Sequence, residues 1–174
     1  MIVGLKKASK NENLKYVRAN PTSEVIDEIQ RLLTLLRSEG FIDSREPSYY
    51  LGSSRLFAIK AGIRAPEPNE IETKEIIQKA LATKKDFGDI DLDVYLNTGV
   101  TLKDIQSFLA NKFTTKYAAD ITGGEINTAV VVGNSNNVIQ IDIVNIKGKE
   151  KYFAFSFVEQ ATDYWKYVDN RSAR

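Results

Sequence analysis

The sequence predicts an α/β or α+β fold in which helices flank a mixed β-sheet. Three observations carry that prediction. Apolar residues recur at helical spacing through "PTSEVIDEIQRLLTLLRSEG" and again through "TGVTLKDIQSFLANKF". Strand-like runs stand at "GDIDLDV", "EINTAVVVG" and "VIQIDIVNI", and "GNSNN" joins the last two as a hairpin turn. At 174 residues and 43% hydrophobic composition, the chain is expected to form one domain, 1–174, with its core at about 22–146 and a C-terminal strand and helix at 147–174. A core of that size removes roughly 70% of the unfolded chain's surface from water.

In the first helical segment, Thr22 or Ser23 is the cap, acids fill the first turn, and Val25, Ile26, Ile29, Leu32, Leu33 and Leu36 form one apolar face up to the stop at Gly40. "PSYYLGSSRLFAIKAG" reads as a short strand ending at Gly52, then a turn and a helix from about Ser54. "RAPEPNE" is a loop, because its prolines can neither continue a helix nor donate to a ladder. "ETKEIIQKALATKK" is helical, and the acidic strand follows from Ile90 to Leu96. Thr101 caps a further helix with Leu102, Ile105, Phe108 and Leu109 on one face. Strands "TKYAADI", "EINTAVVVG" and "VIQIDIVNI" come next, then "YFAFSFV" and a helix with Tyr164, Trp165 and Tyr167, which either stack a base or close a core.

Composition narrows the chemistry. Twenty-four basic and 23 acidic residues leave a net charge of +1, so contact with nucleic acid or acidic lipid must come from a local patch. With no cysteine, disulfides, thiolate zinc sites and cysteine nucleophiles are excluded. With no histidine, catalysis has to run on carboxylates, hydroxyls, lysines or a hard metal ion held by oxygen. The start, "MIVGLKKASK", lacks a secretion signal's apolar stretch, and no run approaches the roughly 20 apolar residues of a membrane span, so a soluble, cytoplasmic protein is expected.

"DFGDIDLDV" is the most informative stretch. On a strand, Asp89, Asp91 and Asp93 share one side while Ile90, Leu92 and Val94 face the core. An edge strand can use such a row of charge to discourage edge-to-edge pairing. Alternatively, a divalent metal turns the mutual repulsion into a binding site. A calcium loop is excluded, because it needs glycine and glutamate where Val94 and Val100 stand. Asp142, centred in "VIQIDIVNI", is costly on an apolar strand unless paired. If its strand lies beside the acidic one, it completes a three-carboxylate cluster suited to two metal ions. Gly52, Ser53 and Ser54, ahead of a helix, offer backbone N–H groups, hydroxyls and a helix dipole to phosphate, with Arg55, Arg64, Lys84 and Lys85 as candidate cations.

In this order, "LGSSR", "GDIDLDV" and "QIDIV" resemble the nucleotidyltransferases of the DNA polymerase beta superfamily, over roughly residues 22–146. The resemblance implies that Gly52 and Ser53, with Ser54 and Arg55 beside them, grip the triphosphate of a nucleotide. It implies that Asp89 and Asp91 hold Mg²⁺, or Mn²⁺ in its place, with Asp91 and Asp93 as the other register. Asp142 then resembles the third carboxylate, which holds the metal that activates the attacking hydroxyl and can accept its proton. Ser53 and Asp89 are 36 positions apart, so residues 64–85 read as an insertion relative to the family's short connection. The implied activity is transfer of a nucleoside monophosphate from a nucleoside triphosphate to a hydroxyl on a nucleic-acid end, a protein or a small molecule. A non-catalytic nucleotidyltransferase-like module that binds a nucleotide or a partner is the second reading. A D-x-D glycosyltransferase is the third.

Overall fold

A computed structural model describes residues 14–44, 49–51, 54–63, 82, 86–112, 117–122 and 124–145. The elements are β1 (Lys15–Tyr16), α1 (Ser23–Ser38), β2 (Tyr49–Leu51), α2 (Ser54–Lys60), β3 (Ile90–Val94), α3 (Leu102–Lys112), β4 (Tyr117–Thr122), β5 (Glu125–Val131) and β6 (Asn137–Asn145). The helix expected at 72–85, the strand and helix expected after 147, and Gly52, Ser53, Arg64, Lys84 and Lys85 lie outside the described residues. No helix among the described residues is long and apolar enough to cross a membrane.

The helices end where their chemistry says they should. Thr22 Oγ1 accepts the Val25 N–H, and Gly40 at φ +77° lets the Gly40 and Phe41 amides reach back to the Arg37 and Leu36 carbonyls. A side chain would be strained at that φ, which is why glycine ends this helix. At α3, Thr101 and Asp104 cap each other: the Thr101 N–H donates to Asp104 Oδ2 and the Asp104 N–H to Thr101 Oγ1.

The six strands form one mixed sheet in the order β2-β3-β6-β5-β4, with β1 also paired to β6, so the fold is α+β. β6 is the centre. β5 runs antiparallel along one of its edges from Val138 to Val144, while β1 (at Asn137–Val138) and β3 (at Ile141–Asn145) lie parallel to it, end to end, along the other. The β5–β6 hairpin closes through Gly133 at φ +57° and the Ser135 amide on the Val132 carbonyl. The acidic strand is therefore internal: β2 pairs with one side of β3 and β6 with the other. It needs no charge to protect an open edge. β3 also stops at Val94 rather than Leu96, because the chain then changes partner: Leu96 bridges Ile42, and the Asp43 amide donates to the Tyr95 carbonyl.

Alternation gives the sheet two different faces. On one, Ile90, Leu92, Val94, Ile141, Ile143, Ile126 and Val130 join Leu32 and Leu36 of α1, Leu56 and Phe57 of α2 and Ile105 and Leu109 of α3 in the main core. Each such side chain contributes about 1.5–3 kcal/mol on burial, so this face dominates the stability. The other face carries Asp91, Asp142, Gln140 and Asn127, with a smaller apolar cluster of Leu14, Ala129 and Val138 beside them under β1. Folding the first face thus aligns the polar residues of the second.

Candidate metal centre

Asp91 and Asp142 are register partners on adjacent parallel strands, so their side chains leave the same face of strands about 4.7–4.9 Å apart. Asp89 precedes β3 by one residue and stands two before Asp91, on the same side. The three carboxylates each place an oxygen within 4.8 Å of the others. Asp89 and Asp91 are half-buried, and Asp142 is 3% exposed.

Asp142 is held by side-chain amides. Asn127 Nδ2 donates to its Oδ1 at 2.9 Å, and Gln140 Nε2 lies 3.0 and 3.2 Å from its two oxygens. Asn127 comes from the register partner on β5 and Gln140 from two residues upstream on β6. Burial pushes the Asp142 carboxyl up to about 7; the two amide donors pull it down and the neighbouring Asp89 charge raises it again. Three hard oxygen donors gathered on a partly dry face could hold a divalent metal ion.

α2 meets this site through its first residue. Ser54 is fully buried, and its Oγ accepts the Asp91 N–H at 2.8 Å, so the start of α2 is tied to β3 at Asp91. Arg55 is 2% exposed. Both side chains are thus enclosed by the protein. Asp93 stays out of the cluster: it is fully buried, neither of its oxygens has a hydrogen-bond partner among the described residues, and burial pushes it up to about 7. The acidic side of β3 is therefore covered at its far end, where alternation alone suggested one exposed row.

Four residues at the site had no motif to mark them. Asn127 and Gln140 orient Asp142. The Tyr16 hydroxyl donates to the Gly88 carbonyl, and the tyrosine lies in the field of Asp89 and Asp142. Arg18 bonds Asp86 through Nε at 2.6 Å and is influenced by Asp89. Gln140 sits within "QID" and its shared face with Asp142 could have been read from spacing; the others become neighbours only through strand register.

No protein-family model matches the chain, and no curated protein sequence matches it. Among solved structures, the chain is similar to an antigenic nucleotidyltransferase-like protein from Paracoccidioides brasiliensis, at 12% identity and a TM-score of 0.42. The match covers 77% of this chain and 53% of that one, so the chain spans about half the length of that neighbour.

Proposed function

We propose that the chain is a divalent-metal-dependent nucleotidyltransferase, moving a nucleoside monophosphate from a nucleoside triphosphate to a hydroxyl with release of pyrophosphate. The observation that carries this reading is the meeting of Asp89 and Asp91 with Asp142 on one face of two parallel strands. The Ser54–Asp91 bond adds support, since it joins "LGSSR" to "GDIDLDV" in space while β6 supplies "QIDIV" alongside.

In this reading Asp89, Asp91 and Asp142 hold the metal. Mg²⁺ or Mn²⁺, when bound, would neutralise phosphate charge and acidify the acceptor hydroxyl. The protein supplies the rest. Asn127 and Gln140 fix the Asp142 carboxylate, which is assigned to receive the hydroxyl proton, a role no histidine can fill here. Ser54 fixes the backbone that aims Asp91. Gly52 and Ser53 are assigned to the leaving pyrophosphate on their sequence motif alone.

The test is to incubate the protein with Mg²⁺ or Mn²⁺, cell extract and each nucleoside triphosphate, labelled at the α- or the γ-phosphate. Transfer of α-label but not γ-label to a product, lost in Asp91→Asn, is the expected result. Nucleotide binding without transfer would favour the non-catalytic module. Stabilisation by nucleotide sugars but not by triphosphates would favour the glycosyltransferase.

A further inference from the structure

We infer that Arg18 is the side chain that grips the phosphate chain at the carboxylate cluster, with Asp86 setting its orientation and Gly88 providing its seat. This rests on the nucleotidyltransferase reading and adds to it a residue that none of its motifs contains.

The segment from Val17 to Ala19 is pinned beside the entrance to β3. The Val17 amide donates to Val138 of β6, while the amides and carbonyls of Ala19 and Phe87 bond each other at 2.6 and 2.8 Å. Arg18 therefore faces residues 86–88, one step before the first carboxylate. Its Nε donates to Asp86 Oδ1 at 2.6 Å. Among the described residues, Nη1 and Nη2 carry no hydrogen bond, which leaves the fork of the guanidinium open to two oxygens.

Gly88 explains how the guanidinium comes so close. A Cβ there would lie 3.2 Å from Arg18 Nη1 and 3.8 Å from both Cζ and Nη2. Gly88 is not among the positive-φ glycines, so what it supplies is room rather than an unusual backbone. Any side chain at 88 pushes the guanidinium outward by a few tenths of an ångström.

The ion pair itself does little for the fold. Its side chains are 53% and 45% exposed, a setting in which such pairs are screened and contribute little. Its geometric effect is larger: Asp86 takes Nε, which leaves Nη1 and Nη2 as the donors for a further anion. A metal-bound triphosphate brings excess negative charge to the rim beside Asp89, the residue that follows the glycine against which the Arg18 guanidinium packs. A planar fork suits phosphate better than an ammonium does.

The test uses the full chain and two probes: Mn²⁺ alone, followed by electron paramagnetic resonance, and Mn²⁺ with inorganic tripolyphosphate or with each nucleoside triphosphate, by calorimetry. Arg18→Ala should bind Mn²⁺ within about threefold of the parent yet lose about 10- to 100-fold in affinity for Mn²⁺-tripolyphosphate, the range for a charge-assisted contact. Arg18→Lys should fall between the two and Gly88→Ala should lose less than Arg18→Ala, with all losses independent of the base.

Unchanged tripolyphosphate affinity in Arg18→Ala, with binding by the parent intact, overturns the role of Arg18 and leaves the nucleotidyltransferase reading standing. Parent protein that binds neither Mn²⁺ nor triphosphate overturns both. Equal losses of Mn²⁺ and of tripolyphosphate overturn the role too, because Arg18 then serves the fold. If Arg18→Ala melts early, the same comparison in Arg18→Lys decides: full tripolyphosphate affinity there rejects the bidentate grip.

Discussion

Replacing Asp91 by asparagine should stabilise the metal-free protein, against the ordinary effect of altering a half-buried strand residue. At pH 8, above the raised Asp142 value, its carboxylate has two like charges whose oxygens come within 4.8 Å. At that separation each pair repels by about 3 kcal/mol at an effective dielectric constant near 20, and by about 1 kcal/mol in bulk water. Asp91 and Asp89 are half-exposed, which favours the lower figure, so the relief should be about 1–3 kcal/mol after loss of any contact the carboxylate makes elsewhere. For a chain of this size, each kcal/mol moves the melting temperature by roughly 2–4 °C. Metal reverses the order. At a hundred times its dissociation constant, a cation bound only to the native state adds about 2.7 kcal/mol to the parent protein and nothing to a variant that cannot hold it. Melting followed by circular dichroism, in EDTA and then in a Mn²⁺ series, measures both. The expected pattern is Asp91→Asn above the parent in EDTA and flat with Mn²⁺, while the parent rises. If Asp91→Asn melts lower in EDTA and gains as much from Mn²⁺ as the parent does, the carboxylates neither repel nor coordinate as argued.

Ser54→Ala leaves the part-buried Asp91 amide without its acceptor, which should cost about 1 kcal/mol in denaturant unfolding and weaken Mn²⁺ binding as Asp91 shifts. Asn127→Ala should keep the fold but reduce Mn²⁺ affinity by about 10- to 100-fold, since it orients a ligand rather than acting as one; calorimetry measures the change. Burial raises the Tyr50 phenol from 10.0 to about 12, so the native state keeps that proton after the unfolded chain has lost it. The stability this contributes is present in full below pH 10 and lost as pH rises through 12; Tyr50→Phe should flatten that part of the urea-unfolding profile by up to about 2–3 kcal/mol. Leu32→Ala, at a fully buried position facing the sheet, should cost about 2–5 kcal/mol in the same assay.

Much of this fold is written in local patterns. Thr22 and Gly40 bracket α1, Thr101 starts α3, and Gly133 turns the β5–β6 hairpin, because caps and turns are decided by a few adjacent residues. The meeting of Asp89 and Asp91 with Asp142 was legible as a condition: it required β6 beside β3, and the isoleucines on both strands bury against the same helices. β1 was not legible, since a two-residue parallel pairing has no period to detect. Nor was the enclosure of Asp93, because alternation separates two faces without saying what covers the second. Arg18 lies 71 positions before Asp89 and meets Gly88 only through the pairing of Ala19 with Phe87. Long-range register of that type leaves no trace in a short window of sequence.

The most direct test of the metal centre is Mn²⁺ binding to five proteins: the parent and the single variants Asp89→Asn, Asp91→Asn, Asp142→Asn and Asp93→Asn. Saturable binding in the parent and in Asp93→Asn, with loss in each of the other three, is the predicted result. Binding that survives Asp142→Asn, or that disappears only in Asp93→Asn, would contradict a site built where β3 meets β6.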